Sequence, residues 1–132
     1  MVRYYDIDAA NARVDELRPL LEALRTDRDA IGDAQRELNR FRETNGNADH
    51  AADLARREQS IRQAVRRMEQ AVAQIEAWSV TLRDISSGLV DFPALVSGRP
   101  VWLCWRLGEG MIGWWHEFDT GLAGRRPLID LA

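Results

Sequence analysis

Lysine is absent from the 132 residues, cysteine occurs once, at Cys104, and histidine twice, at His50 and His116. One cysteine excludes an internal disulfide, so the fold must rest on packing, as expected in a reducing compartment. Long apolar runs are missing too: none approaches the roughly 20 residues that a membrane span needs, and Met1-Val2-Arg3-Tyr4-Tyr5-Asp6 lacks the apolar stretch of a signal peptide. The expectation is a cytoplasmic protein with no membrane partner. A concentrated basic surface is equally lacking. The 18 cations, all arginine, face 21 acids for a net charge of -3, and they are interleaved with acids in Asp15-Glu16-Leu17-Arg18 and Arg56-Arg57-Glu58. Nucleic acid is therefore not an expected partner.

What is present divides near Trp78. From Asp6 to Thr44, residues Ala10, Val14, Leu17, Leu21, Leu24, Ile31 and Leu38 recur at steps of three and four or their multiples, which places them on one helical stripe. Arg28 and Gln35 interrupt the stripe; Leu20, Ala34 and Phe41 widen it. Asp6 is the expected N-cap, with Asp8 in the first turn at the positive end of the helix dipole. Pro19 removes a hydrogen bond inside the helix and predicts a kink there or a break into two helices. Thr44-Asn45-Gly46-Asn47-Ala48-Asp49 carries stop and start signals. A second stripe follows from about His50 to Trp78: Leu54, Ile61, Val65, Met68, Val72 and Ile75. So short a connection makes the helices antiparallel neighbours, roughly 55 Å and 42 Å long, with the excess of the first helix at its N-terminal end.

Beyond Trp78 the period changes to two. Ser79-Val80-Thr81-Leu82-Arg83 alternates, Gly88-Leu89-Val90-Asp91-Phe92-Pro93 is an apolar run ended by proline, and Ser97-Gly98-Arg99-Pro100 reads as a turn. Residues 101–107 and 112–118 flank Gly108-Glu109-Gly110-Met111 as a hairpin rich in aromatic and β-branched residues. The fold class is α+β: a long antiparallel helical hairpin over 6–44 and 50–78, then a tryptophan-rich, three- to four-stranded antiparallel β-meander over 79–132, in one domain spanning 1–132. Residues 120–128 read as irregular chain lying across the sheet.

Gly88-Leu89-Val90-Asp91-Phe92-Pro93-Ala94, Leu103-Cys104-Trp105-Arg106-Leu107-Gly108-Glu109, Trp115-His116-Glu117 and Gly124-Arg125-Arg126-Pro127-Leu128 resemble the bacterial domain-of-unknown-function family 2203. Ala9-Ala10-Asn11-Ala12 and Leu17-Arg18-Pro19-Leu20-Leu21 extend the resemblance over nearly the whole chain. It implies the same division of the fold and no particular activity.

The side chains able to do chemistry lie in the β half: Asp84, Asp91, Cys104, Arg106, Glu109, His116, Glu117 and Arg125. Cys104, His116 and Glu117 are the types that hold zinc or a related divalent metal, and Cys with His can also form a nucleophile and base. These types admit a metal without requiring one, and no Cys-x-x-Cys, His-Glu-x-x-His, Gly-rich phosphate loop or Gly-x-Ser-x-Gly elbow accompanies them. With a three-residue turn, Cys104 and His116 share a face diagonally; with four, Cys104 faces Trp115 and shares a face with Glu117. The bland readings are a small buried Cys104, a structural His116 bonded to Asp91 or Glu117, and Arg106 and Arg125 pairing with carboxylates or stacking on indoles.

Asp91, Trp102, Arg106, Trp115 and Arg125 are the candidates for binding a ligand. At least two of Trp102, Trp105, Trp114 and Trp115 must face a core by alternation; the others stay exposed unless a partner, a ligand or the tail covers them. Half-wet Leu20, Ala34, Phe41 and Met68 suggest a homodimer through the hairpin. The leading functional expectation is a non-enzymatic oligomerisation or interaction module presenting its tryptophan-rich β end to a protein or small ligand. The alternative is a metal- or thiol-dependent enzyme, or a metal-binding protein, using Cys104, His116 and neighbouring carboxylates.

Overall fold

The computed structural model describes residues 3–44 and 50–131. Helix α1 spans Ile7–Arg42, and Asp6 caps it by accepting a hydrogen bond from the Ala9 amide at 2.7 Å. The helix runs unbroken through Pro19, so the expected break does not occur. Pro19 is on the exposed side, where water can take the carbonyl that the ring leaves without a donor. Helix α2 spans His50–Ala77, while the turn signals at 45–49 lie outside the described residues. Arg67 with Asp27, and Arg42 with Glu58, pair across the seam and mark the helices as antiparallel. Being largely exposed, such pairs set register more than they stabilise.

The α1 stripe is buried at Ala10, Val14, Leu17, Leu21, Leu24 and Leu38, with Arg28 and Gln35 in water. In α2 one expectation is corrected: Val65 is exposed and the neighbouring Ala64 takes its place in the seam. Helix α2 ends as Ser79 turns into the left-handed region, at φ 60°.

Five antiparallel strands follow in chain order: β1 Thr81–Asp84, β2 Leu89–Val96, β3 Arg99–Arg106, β4 Trp114–Glu117 and β5 Arg126–Pro127. The expected three or four become five because two residues of the tail pair with β4. Strand β2 does not end at Pro93. In an extended strand the N–H and C=O of one residue point the same way, and the Pro93 carbonyl accepts from the Tyr5 amide at 2.8 Å on the side that β1 leaves open. The missing N–H therefore falls outside the ladder, as proline in a strand requires. Ser97 and Gly98, both at positive φ, form a two-residue turn that sets Asp91 opposite Cys104.

One face of the sheet packs on the N-terminal half of α1. Val90, Phe92, Ala94, Val101, Leu103, Trp105 and Trp115 join Ala10, Val14, Leu17, Leu21 and Leu24 in a single buried cluster. The excess of α1 is thus where the β half docks. Its side chain Asn11 accepts from the Ile112 amide at 2.7 Å and fastens the 107–113 connection to the helix. In Asn11→Ala that buried amide loses its partner; urea denaturation should show a loss of about 1–3 kcal/mol.

Candidate functional site

The opposite face of the sheet carries the chemistry. Cys104 pairs with Trp114 and Trp102 with His116, so Cys104 and His116 share a face, offset diagonally, as the three-residue register requires. Asp91, opposite Cys104 on β2, joins them. One ligand-type atom from each of these three buried residues lies within 4.8 Å of the other two. The chain then folds back over them: Phe118 stacks on Trp102 with centroids 4.4 Å apart, and Thr120, Gly121 and Leu122 help to close a pocket of about 230 Å³. Arg83, Leu89, Asp91, Cys104 and His116 form its floor and walls. Arg125 holds the returning tail down, pairing with Glu109 and lying 4.8 Å from the Trp114 ring.

The hydrogen bonds restrict what His116 can be. Its Nδ1 is 2.8 Å from the Glu117 carbonyl, which can only accept, so Nδ1 carries a proton. The remaining nitrogen, Nε2, is 3.0 Å from Asp91 Oδ2. In the neutral imidazole this nitrogen is a lone pair facing a carboxylate, and a proton or a metal ion must stand between them. Asp91 Oδ2 also accepts from Arg83 Nε at 2.8 Å, whereas Oδ1 is buried without a hydrogen-bond partner among the described residues. A buried carboxylate oxygen in that state costs free energy until something coordinates it.

Cys104 is not a poised nucleophile. Burial, and then the nearby Asp91 charge, push its thiol from 9.0 up to about 12. Both nitrogens of His116 are engaged elsewhere, so no imidazole is placed to take the thiol proton. In metal-free protein at pH 8, alkylation of Cys104 by iodoacetamide is expected to run about a thousandfold slower than in unfolded chain, measurable by mass spectrometry. The raised value also has a stability sign. The un-ionised thiol stabilises the fold below pH 9, and that contribution is lost as pH rises toward 12.

Other candidates are placed elsewhere. Glu117 points to the opposite face and pairs with Arg99 at 2.5 Å, away from Cys104 and His116. Trp115 is buried in the core with Trp105. Arg106 is exposed beside Glu109, whose carboxylate caps the Arg106 amide. Arg125 ties down the tail. Asp84 accepts from the Ser87 hydroxyl and amide and from Ser86, which hold its carboxyl below the usual range. Trp102 is covered by Phe118, and it also lines a broader groove of about 490 Å³ between α2 and the β1–β2 edge. Glu76 is the lone acidic lining group of that groove, which brings no metal-ligand set together. Sequence reasoning missed Arg83, although alternation with Leu82 placed it on the polar face.

A family model described as "Uncharacterized conserved protein (DUF2203)" matches residues 3–128. No curated protein and no solved structure matches the chain. No helix among the described residues is long and apolar enough to cross a membrane. With the match running through both helices and the sheet that carries Asp91, Cys104 and His116, the chain belongs to this family, DUF2203.

Proposed function

We propose that the protein is a non-enzymatic binder of a divalent metal ion of the zinc class, held by Asp91, Cys104 and His116. The observation that carries this reading is the convergence of one ligand-type atom each from Asp91, Cys104 and His116 within 4.8 Å, all three buried, with His116 Nε2 3.0 Å from Asp91 Oδ2 and the His116 proton on the far nitrogen. A backbone carbonyl on one ring nitrogen is the usual way to orient a ligating imidazole. One nitrogen, one sulfur and one carboxylate oxygen suit zinc, whose bonds of about 2.0–2.3 Å require ligand atoms roughly 3.3–3.8 Å apart in a tetrahedron. To hold the ion, His116 Nε2 and Asp91 Oδ2 would have to spread slightly from 3.0 Å and Cys104 to approach within that range. The aromatic surface that first suggested a protein partner supports that role less, because Phe118 stacks on Trp102 from within the chain, which leaves Trp114, 37% exposed beside Arg125, as the remaining open indole.

Zinc competition against a chromophoric chelator, with chelator-stripped protein, tests the reading. One equivalent per chain is expected. No uptake would leave Asp91, His116 and Arg83 as a purely structural ion-pair cluster. We place the protein in the cytoplasm, where reducing conditions keep Cys104 available as a thiolate ligand.

A second proposal concerns the far end of the hairpin. Ile31, Ala34, Phe41, Leu54 and Ile61 are half-buried there, remote from the cluster under the sheet. Two hairpins packed about a two-fold axis would cover them. Native mass spectrometry should then report twice the 15.1 kDa chain mass. A monomer at micromolar concentration would overturn it.

A further inference from the structure

We propose that the metal's fourth position takes a small carboxylate, gripped on its other side by Arg83; this rests on the metal reading above. The charge of the pocket is the first support. A divalent ion carries +2, Asp91 and a ligating Cys104 thiolate carry -1 each, and Arg83 adds +1. The ion and its two anionic ligands are neutral together, so the remaining positive charge is that of the partly exposed Arg83 guanidinium, which a monoanion seated between it and the metal would pair.

Arg83 is built for the task. It lines the same pocket as the three ligands, and its single hydrogen bond among the described residues runs from Nε to Asp91. The two Nη groups remain as a planar fork of donors, the arrangement that matches a carboxylate in two-point contact. Its side chain is 41% exposed, so the fork can meet a ligand entering from solvent. Trp102 lies 5.0 Å from the guanidinium and limits its swing.

The pocket sets the rest of the description. About 230 Å³ suits a small ligand, since a cavity of about 150 Å³ holds benzene, and Leu89, Phe118 and Leu122 give it apolar walls. Arg83 is the single cation among the lining residues, which disfavours a phosphate dianion. A metal-bound hydroxide would meet the charge requirement, but it would leave the arginine fork and the apolar walls unmatched.

Cobalt(II) replaces zinc with a visible spectrum that reports its ligands, so the test is an acetate titration of the cobalt-loaded protein. Wild type should show a saturable change in the cobalt bands. Arg83→Gln should keep its cobalt and bind acetate roughly tenfold more weakly or worse, with Arg83→Lys in between. Cobalt bands indifferent to acetate, or equal acetate affinity in Arg83→Gln, would overturn the inference while leaving the metal site standing. Failure of wild type to take up cobalt at all would instead remove the metal reading, and this inference with it.

Discussion

Cys104→Ser and His116→Ala are each expected to lower zinc affinity by more than about a hundredfold, since outer-shell partners alone are worth 10- to 100-fold. Each removes one of three buried ligands, and no other cysteine or histidine is near to substitute: His50 stacks on Phe41 at the far end of the hairpin. Two controls make the loss specific. Glu117→Gln should retain the metal, because that carboxylate pairs with Arg99 on the other face. His116→Ala should also remain folded by circular dichroism, because the core cluster on the helix side does not include His116. Its folded form should no longer gain thermal stability from added zinc, whereas wild type should, since an ion that binds only the native state raises the melting temperature. Retention of stoichiometric zinc in both variants would show that the ion, if bound, sits elsewhere.

Trp105→Ala should have the largest effect on stability, about 3–5 kcal/mol in denaturant titration. The indole is fully buried in the cluster that the sheet forms with Leu17 and Leu21 of α1, and its Nε1 donates to the Gly110 carbonyl at 2.8 Å. Truncation leaves a cavity and frees the loop that Asn11 also fastens. Against the roughly 5–15 kcal/mol by which domains of this size are stable, that is a large fraction. Trp114→Ala provides the contrast. That residue is 37% exposed and outside the core, so its loss should cost far less. Equal losses for the two would mean that the sheet does not pack on α1 as described.

Much of this arrangement was legible in the residues. The three-and-four spacing of Ala10 to Leu38 marked the buried face of α1, Asp6 marked its start, and the change of period at Trp78 marked where helix gives way to strand. The tail crossing the sheet and the two core-facing indoles followed from composition and alternation. The failures have local causes. Val65 and Ala64 are adjacent apolar residues, and the spacing of the stripe does not decide which of them faces α1. Pro93 looked like a strand end because a sequence does not show on which side its missing N–H will fall.

The site was half visible. Cys104 and His116 stand out together in the sequence, with Glu117 or Asp91 as the carboxylate beside them; the structure brings Asp91 to them and turns Glu117 to the other face. The signal that chooses between the two is the turn. Read as a two-residue connection, Ser97-Gly98 fixes the β2–β3 register and brings Asp91 opposite Cys104. Arg83 needed one step more, the pairing of Thr81 with Asp91, which depends on a bulged ladder that local sequence does not specify.

X-ray absorption at the zinc edge of the loaded protein tests the metal reading most directly, because it counts scatterers around the ion itself. One sulfur at about 2.3 Å with nitrogen or oxygen neighbours at about 2.0 Å is the expected shell, with the sulfur lost in Cys104→Ser. A shell of light atoms alone in wild type, or no bound zinc to measure, would contradict it.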